Sequence, residues 1–346
     1  MSGPIRIALD AMGGDGGPSV TIPALIDFLQ NHPETECHLF GDERLVNDAL
    51  EKFGNSAIQS QLTIVPCPSS VTDDERPSKI LRQKQDSSMA QAIRSIGDGT
   101  CDACVSAGNT GALMAFGIQW LGTLPGTSRP AICGSMPTEK GGYLALDLGA
   151  NLNCSGEQLY QFAVLGASTA EIIKDTSEPT VKLLNIGVEN SKGPPNIQKA
   201  AKLIKEDAKL NFRGFIEAHE LFHTDADVVV CDGWSGNIAL KASEGTANLI
   251  RQILKGQSDR DLLSKLGKYL LMGDGQEFYR KLNPSAYNGA YLLGLRGSLI
   301  KSHGGADIEA FSESINVARL AIMRGLAENL AFKFECKSLD GVVDLA

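Results

Sequence analysis

Short apolar runs alternate with amphipathic stretches along most of this chain. The runs predict strands at Ile5–Asp10, Cys37–Phe40, Leu62–Val65, Ala103–Ser106, Ala131–Ser135, Tyr143–Asp147, Val181–Ile186, Val228–Cys231 and Leu299–Lys301. Stretches with helical spacing predict helices at Ser19–Gln30, Glu43–Phe53, Ser78–Ile96, Gly111–Leu121, Gly156–Lys174, Pro195–Leu210, Ile238–Leu254 and Ile308–Leu330. Strand, loop and helix in turn are the pattern of an α/β fold, a doubly wound and mostly parallel sheet covered on both faces. No repeat or low-complexity linker interrupts it, so residues 1–346 read as a single α/β unit. One stretch departs from the alternation: residues 238–282 carry helical pattern without a strand and predict a projecting αα-hairpin. Leu262, Leu263, Leu266, Tyr269 and Leu270 form a stripe there, read as packing on the core or across a dimer, or as contact with a membrane interface.

The first strand empties into Asp10-Ala11-Met12-Gly13-Gly14-Asp15-Gly16-Gly17-Pro18, directly before a helix. Strand, glycine turn and helix start bring backbone N–H groups and the positive end of a helix dipole to one point, which suits a phosphate. The spacing is neither the dinucleotide fingerprint nor a phosphate loop ending in Gly-Lys-Ser/Thr. Asp10 and Asp15 must turn away from such an anion or serve as acid/base or orienting groups.

Ligands of doubly wound sheets sit beyond the carboxyl ends of the strands. Those ends carry Ser106, Gly108, Asn109 and Thr110; Asp147 and Asn151; Glu189, Asn190 and Lys192; Asp232, Gly236 and Asn237; and Lys301 and His303. Turn formation explains each loop singly. Gathered at one predicted rim, they would make a site for a multiply charged oxyanion. Lys192 supplies charge, His303 is the candidate for proton transfer or phosphate binding, and Asn109, Asn151 and Asn237 are hydrogen-bond donors or turn caps. No nucleophile-elbow signature and no metal-ligand spacing is present, so no metal and no cofactor is expected, and the chemistry reads as direct displacement between bound substrates.

Eight cysteines lie mostly in apolar surroundings, and the lone Cys101-Asp102-Ala103-Cys104 has no second pair or nearby histidine. A net charge of −9 argues against nucleic acid. The charge is uneven: residues 251–301 hold nine Lys/Arg (Arg251, Lys255, Arg260, Lys265, Lys268, Arg280, Lys281, Arg296, Lys301) against four acids. That basic face suggests an acidic partner or an anionic surface. No apolar window of ~18 residues and no basic-apolar leader occurs, which points to a cytoplasmic protein.

Taken together, Asp10-Ala-Met-Gly-Gly-Asp15, Ser106-Ala-Gly-Asn-Thr-Gly-Ala112, Leu146-Asp-Leu-Gly-Ala-Asn151, Leu184-Asn-Ile-Gly187 with Lys192-Gly193, Asp232-Gly-Trp-Ser-Gly-Asn237 and Gly289-Ala-Tyr-Leu-Leu-Gly294 through His303-Gly304 resemble the bacterial PlsX family. These are acyl-ACP:phosphate acyltransferases of phospholipid synthesis, and the resemblance runs from about residue 5 to about residue 330. It implies a fold similar to isocitrate dehydrogenases and phosphotransacetylases, and a homodimer with peripheral membrane association. It also implies reversible transfer of an acyl group from acyl carrier protein or coenzyme A to inorganic phosphate, the product feeding a membrane glycerol-3-phosphate acyltransferase. On that reading His303, Lys192, Asp232 and Asn237 are the catalytic candidates. Asp10, Gly13, Gly14, Asp15, Gly16, Gly17, Ser106, Gly108, Asn109, Thr110, Asn151 and Gly236 would bind substrate, and the basic face 251–301 would receive the acidic carrier protein. The rivals are a nicotinamide-dependent dehydrogenase on a related fold and a non-catalytic protein that binds a membrane or partner enzymes.

Overall fold

A computed structural model describes residues 3–54, 56–72, 74–258 and 283–339. Eleven strands form one sheet: β1 (Ile5–Asp10), β2 (Thr35–Gly41), β3 (Leu62–Pro66), β4 (Ala103–Ser106), β5 (Ala131–Thr138), β6 (Gly141–Leu146), β7 (Thr180–Leu184), β8 (Asn211–Ile216), β9 (Val228–Val230), β10 (Ala290–Leu293) and β11 (Ser298–Lys301). Their order is β3-β2-β1-β4-β11-β10-β5-β6-β9-β7-β8, parallel except where β10 pairs with β11 and β5 and where β5 pairs with β6.

Helices cover both faces because both sets of alternating strand residues are apolar. On one face Ile7, Leu9, Leu39, Val105, Leu146, Leu183 and Val230 meet α1 (Pro18–Asn31), α6 (Gly156–Lys174), α7 (Pro195–Glu206) and α9 (Ile308–Met323). On the other, Ala8, Phe40, Cys104, Tyr143, Val229 and Leu299 meet α4 (Ser88–Gly97) and α5 (Thr110–Leu121). A buried strand residue here removes apolar surface from water at roughly 25 cal/mol per Å², which is why these strands read as continuous apolar runs. Short polar side chains set the helix starts: Asp42 caps α2 (Glu43–Phe53), Ser87 caps α4, Asn109 caps α5, Asp307 caps α9, and Ser155 with Gln158 forms a capping box on α6.

Several predicted elements change. The helix expected over Ser78–Ile96 is two, α3 (Pro77–Gln83) and α4, because the Ser87 hydroxyl and amide both turn back onto the Lys84 carbonyl and the Ser88 amide bonds Ser69. The helix expected over Ile308–Leu330 breaks after α9 at Gly325, whose φ of +58° suits glycine, and resumes as α10 (Leu326–Leu339). β8 and β10 were not expected. β8 is an edge strand opened by Gly214 at φ +82° beside a register shift in β7, and β10 is only four residues long. The helix expected at Ile238 starts earlier, as α8 (Gly233–Ser258), and from Lys241 to Ile253 none of its residues is fully buried. The second arm of the expected hairpin, with its leucine stripe, lies outside the described residues.

The strand directions overturn one expectation outright. β5 turns into β6 through a tight antiparallel hairpin, pairing Cys133 with Leu146 and Thr138 with Gly141, and β9, β7 and β8 then run parallel to β6. The carboxyl ends of β1, β4 and β11 therefore lie at one rim of the sheet and those of β6, β9 and β7 at the opposite rim. The predicted single rim is two.

Candidate functional site

At the first rim, the Asp10 carboxylate is buried and accepts hydrogen bonds from Ser88 Oγ and Ser106 Oγ, both 2.7 Å. Burial pushes its carboxyl above the ordinary range, opposed by those hydroxyls, by the Met12 amide and by the charge of Lys301. Gly13 is wedged so closely that a Cβ there would stand 2.8 Å from the Gly108 amide nitrogen and 2.9 Å from Asp10 Oδ2. The Asp15 amide donates to Gly304 O at 2.9 Å, tying the glycine turn to the loop after β11. Most of the turn's amides already have carbonyl partners: Gly13 donates to Asp10, Gly17 to Gly14, and Ser19 and Val20 to Gly16 and Gly17. Within the Gly13–Gly17 run, the amides of Gly14 and Gly16 are the ones without a backbone acceptor among the described hydrogen bonds.

In the same group the Gly108 amide donates to Ser106 Oγ, the Asn109 side chain accepts from Ala112, and Lys301 Nζ donates to the carbonyls of Ala107 and Ser302. His303 is exposed. Its Nδ1 accepts from the Gly305 amide at 3.1 Å, so a neutral ring carries its proton on Nε2. Asn288 holds this loop, accepting from the His303 amide and donating to Ser302 Oγ and Ala310 O.

At the second rim, Asp147 is fully buried and accepts from the amides of Ile132, Gly149, Ala150 and Asn151 and from Asn151 Nδ2. Burial raises its carboxyl against the pull of those donors. Asn151 also donates to Pro130 O at 2.8 Å and accepts the Gly233 amide on its own carbonyl. Asp232 caps α8, its carboxylate accepting from the Ser235 amide at 2.7 Å. Gly236 has no room for a side chain, since a Cβ would run into Asp147 O and Cys231 Sγ. Asn237 stands beside Gly149, within 3.5 Å of where a Cβ there would be. Lys192, half exposed, lies 3.6 Å from Glu189 with its stem along Gly187.

Around these groups sit exposed apolar side chains that the sequence reading passed over: Leu152, Ile186, Val188, Ile238 and Trp234, the last 61% exposed. They come from the same three loops as Asn151, Lys192 and Asn237, and β6, β9 and β7 are neighbours in the sheet. Trp234 and Ile238 are four residues apart on α8 and so share one helical face. Their signal in the sequence was an apolar residue inside a Gly/Asn-rich loop, where a turn alone would be polar.

The predicted residues thus divide. Asp10, Gly13, Gly14, Asp15, Gly16, Gly17, Ser106, Gly108, Asn109, Thr110 and His303 belong to the first rim, and Asn151, Lys192, Asp232, Gly236 and Asn237 to the second. α8 runs from one to the other. Its first turn is at the second rim, and 18 residues on, about 27 Å along a helix, Arg251 bonds Asn283, which bonds Glu309 at the start of α9. Seven of the eight thiols are buried, and burial raises Cys67 to about 11 and Cys154 to about 12 and pushes Cys104 and Cys231 well above the ordinary thiol range. These thiols are held protonated, and the Cys101/Cys104 pair is part of the core. Among the described residues no group of His, Cys, Asp and Glu could hold a metal ion, and no helix is long and apolar enough to cross a membrane. Of the basic face, Arg251, Arg296 and Lys301 are engaged within the chain, with Asn283, Glu335 and the carbonyls of Ala107 and Ser302. Arg260, Lys265, Lys268, Arg280 and Lys281 lie outside the described residues.

Residues 5–329 match the model of a family described as "Fatty acid synthesis protein". A phosphate acyltransferase of Halorhodospira halophila is 44% identical over 335 residues, covering 97% of each chain. One from Legionella pneumophila strain Paris is 43% identical and covers 94% of each. Among solved structures, the EutD phosphotransacetylase of Staphylococcus aureus superposes with a TM-score of 0.61 at 19% identity, covering 92% of this chain and 94% of that one. A phosphotransacetylase of Streptococcus pyogenes gives the same TM-score at 17% identity, with the same coverage. The fold is that of the phosphotransacetylases.

Proposed function

Since this chain belongs to the fatty acid synthesis protein family and is an acyltransferase, we propose that it moves a fatty acyl group reversibly between a carrier thioester and inorganic phosphate. The donor is acyl carrier protein or coenzyme A, and the product is an acyl phosphate for phospholipid synthesis. A phosphate oxygen attacks the thioester carbonyl, the new C–O bond forms, the C–S bond breaks, and the sulfur leaves as thiolate. Phosphate is an anion at neutral pH, so the protein has to position and desolvate it rather than generate a nucleophile. The leaving thiol has a pKa near ~8.5 and needs little help from an acid.

The observation that carries this reading is the second rim, where Lys192, Asn237 and the start of α8 stand among Leu152, Ile186, Val188, Trp234 and Ile238. A cation and amide donors suit phosphate and the carbonyl oxygen as it gains charge. An apolar collar suits the acyl tail. Asp232 orients the loop by capping α8. A second phosphate position is favoured by the Gly14 and Gly16 amides near His303 at the first rim.

Steady-state kinetics with phosphate as the varied substrate separate the two. Lys192→Ala should raise the phosphate KM or lower kcat, costing about 10-fold or more in kcat/KM, with His303→Ala close to the parent. The reverse result moves phosphate to the first rim. Two unaffected variants would remove both residues from the site.

The acidic carrier protein is placed against the basic stretch 251–301, through the lysines and arginines beyond Arg251. Lys265→Glu with Lys268→Glu should weaken turnover of acyl-ACP and its salt dependence while leaving acyl-CoA unchanged. Equal responses to both donors would give that stretch another role. The exposed Leu249, Ile250 and Ile253 on the later turns of α8 support a homodimer or a peripheral membrane contact, which hands the product to a membrane acyltransferase. Light scattering and flotation with anionic liposomes test these, and a monomer that stays with the unbound fraction would exclude both.

A further inference from the structure

We propose that Asn185 is a positioning residue that sets where the Lys192 ammonium stands. Asn185 follows β7 directly, is buried, and its amide is tied to Ile216 O at 2.9 Å, so its backbone belongs to the sheet. Its Nδ2 donates to two carbonyls, Gly187 O and Lys192 O, each at 3.1 Å. Those two residues bracket the loop, so one side chain fastened to the sheet fixes both its start and its end. The loop is shaped around that side chain: Gly193 has a φ of +89°, and a Cβ there would land on Asn185 Oδ1. The Lys192 stem passes over Gly187, 3.2–3.3 Å from where a Cβ there would be. A second amide, Gln198 Nε2 on α7, braces the outer side at Ser191 O and Gly193 O, so loss of Asn185 should shift the loop rather than release it. This proposal rests on Lys192 acting on phosphate. An ammonium on a four-carbon stem is a mobile point charge, and fixing the backbone carbonyl of its own residue shortens its reach to one region.

The experiment is a double-mutant cycle of Asn185→Ala and Lys192→Ala in the full chain, read as kcat and phosphate KM, with thermal midpoints measured alongside. Asn185→Ala should cost about 10- to 100-fold in kcat/KM for phosphate, mostly as a higher KM, and should add little once Lys192 is already Ala. An equal additional loss in both backgrounds, or no loss in the single variant, overturns the proposal and leaves Asn185 a purely structural residue. Should Lys192→Ala itself be without effect, the functional reading falls and this proposal with it. Gly193→Ala presses on the same contact from the other side and enters the same cycle if Asn185→Ala does not fold.

Discussion

The two rims of this sheet are built from similar residues and do different things with them. At the first, the polar groups mostly face one another: Asp10 holds Ser88 and Ser106, Asn288 holds the His303 loop, and the glycine-turn amides are largely bonded to carbonyls. At the second, the buried groups Asp147 and Asn151 do the same bracing, but a half-exposed Lys192 beside Glu189, a partly exposed Asn237 and a collar of large apolar side chains are left at the surface. A loop rich in Gly, Asn, Ser and Asp is therefore not yet a site. The difference lies in what remains exposed after the loop has satisfied itself.

The sharpest break of that comparison is Asp147→Asn. It would set an NH2 group against donors that now converge on a carboxylate, and should cost about 3 kcal/mol or more in stability, seen as a lower denaturation midpoint with loss of activity. A midpoint within error of the parent would mean the second rim does not depend on that brace. Next is Trp234→Ala. Its exposure predicts an unchanged midpoint, and an effect on catalysis that grows with donor chain length, reaching about 10-fold in kcat/KM for long acyl groups, or about 1.4 kcal/mol. Equal effects on short and long donors would take the collar out of the acyl path.

The smallest expected effect is a pH slope at the first rim. Burial raises the folded Asp10 carboxyl, so its contribution is complete below the ordinary carboxylate range and declines as pH rises through its folded value. Asp10→Asn should therefore gain stability relative to the parent across that window in denaturant titrations at several pH values. Parallel profiles would indicate that Asp10 is charged throughout.

Much of this architecture could be read in the sequence. Every predicted strand is present, and the apolar runs mark both faces of the core because each strand is covered twice. The direction of the strands is legible there as well. Only seven residues separate the predicted Ala131–Ser135 and Tyr143–Asp147, too few for the crossover of a dozen or more that a parallel pair requires. A hairpin was thus implied, and with it the reversal of β6, β7, β8 and β9, while β11 returns to the direction of β4. β8 and β10 were hidden for other reasons, one by Gly214 in an edge strand and the other by its length. At the site, Lys192 and Asn237 could be named because their types and loops suggest chemistry. The roles of Asn185 and Asn288 could not, since a side chain that bonds carbonyls several residues away looks in sequence like any turn former.

The burial of the thiols bears on the proposed chemistry in another way. A protein handling activated carboxylic esters of sulfur is exposed to self-acylation, in which the cargo migrates to a cysteine of the enzyme. Seven of the eight cysteines here are out of reach in the interior, which leaves Cys336, near the end of α10, as the accessible position at which stray acyl groups could accumulate.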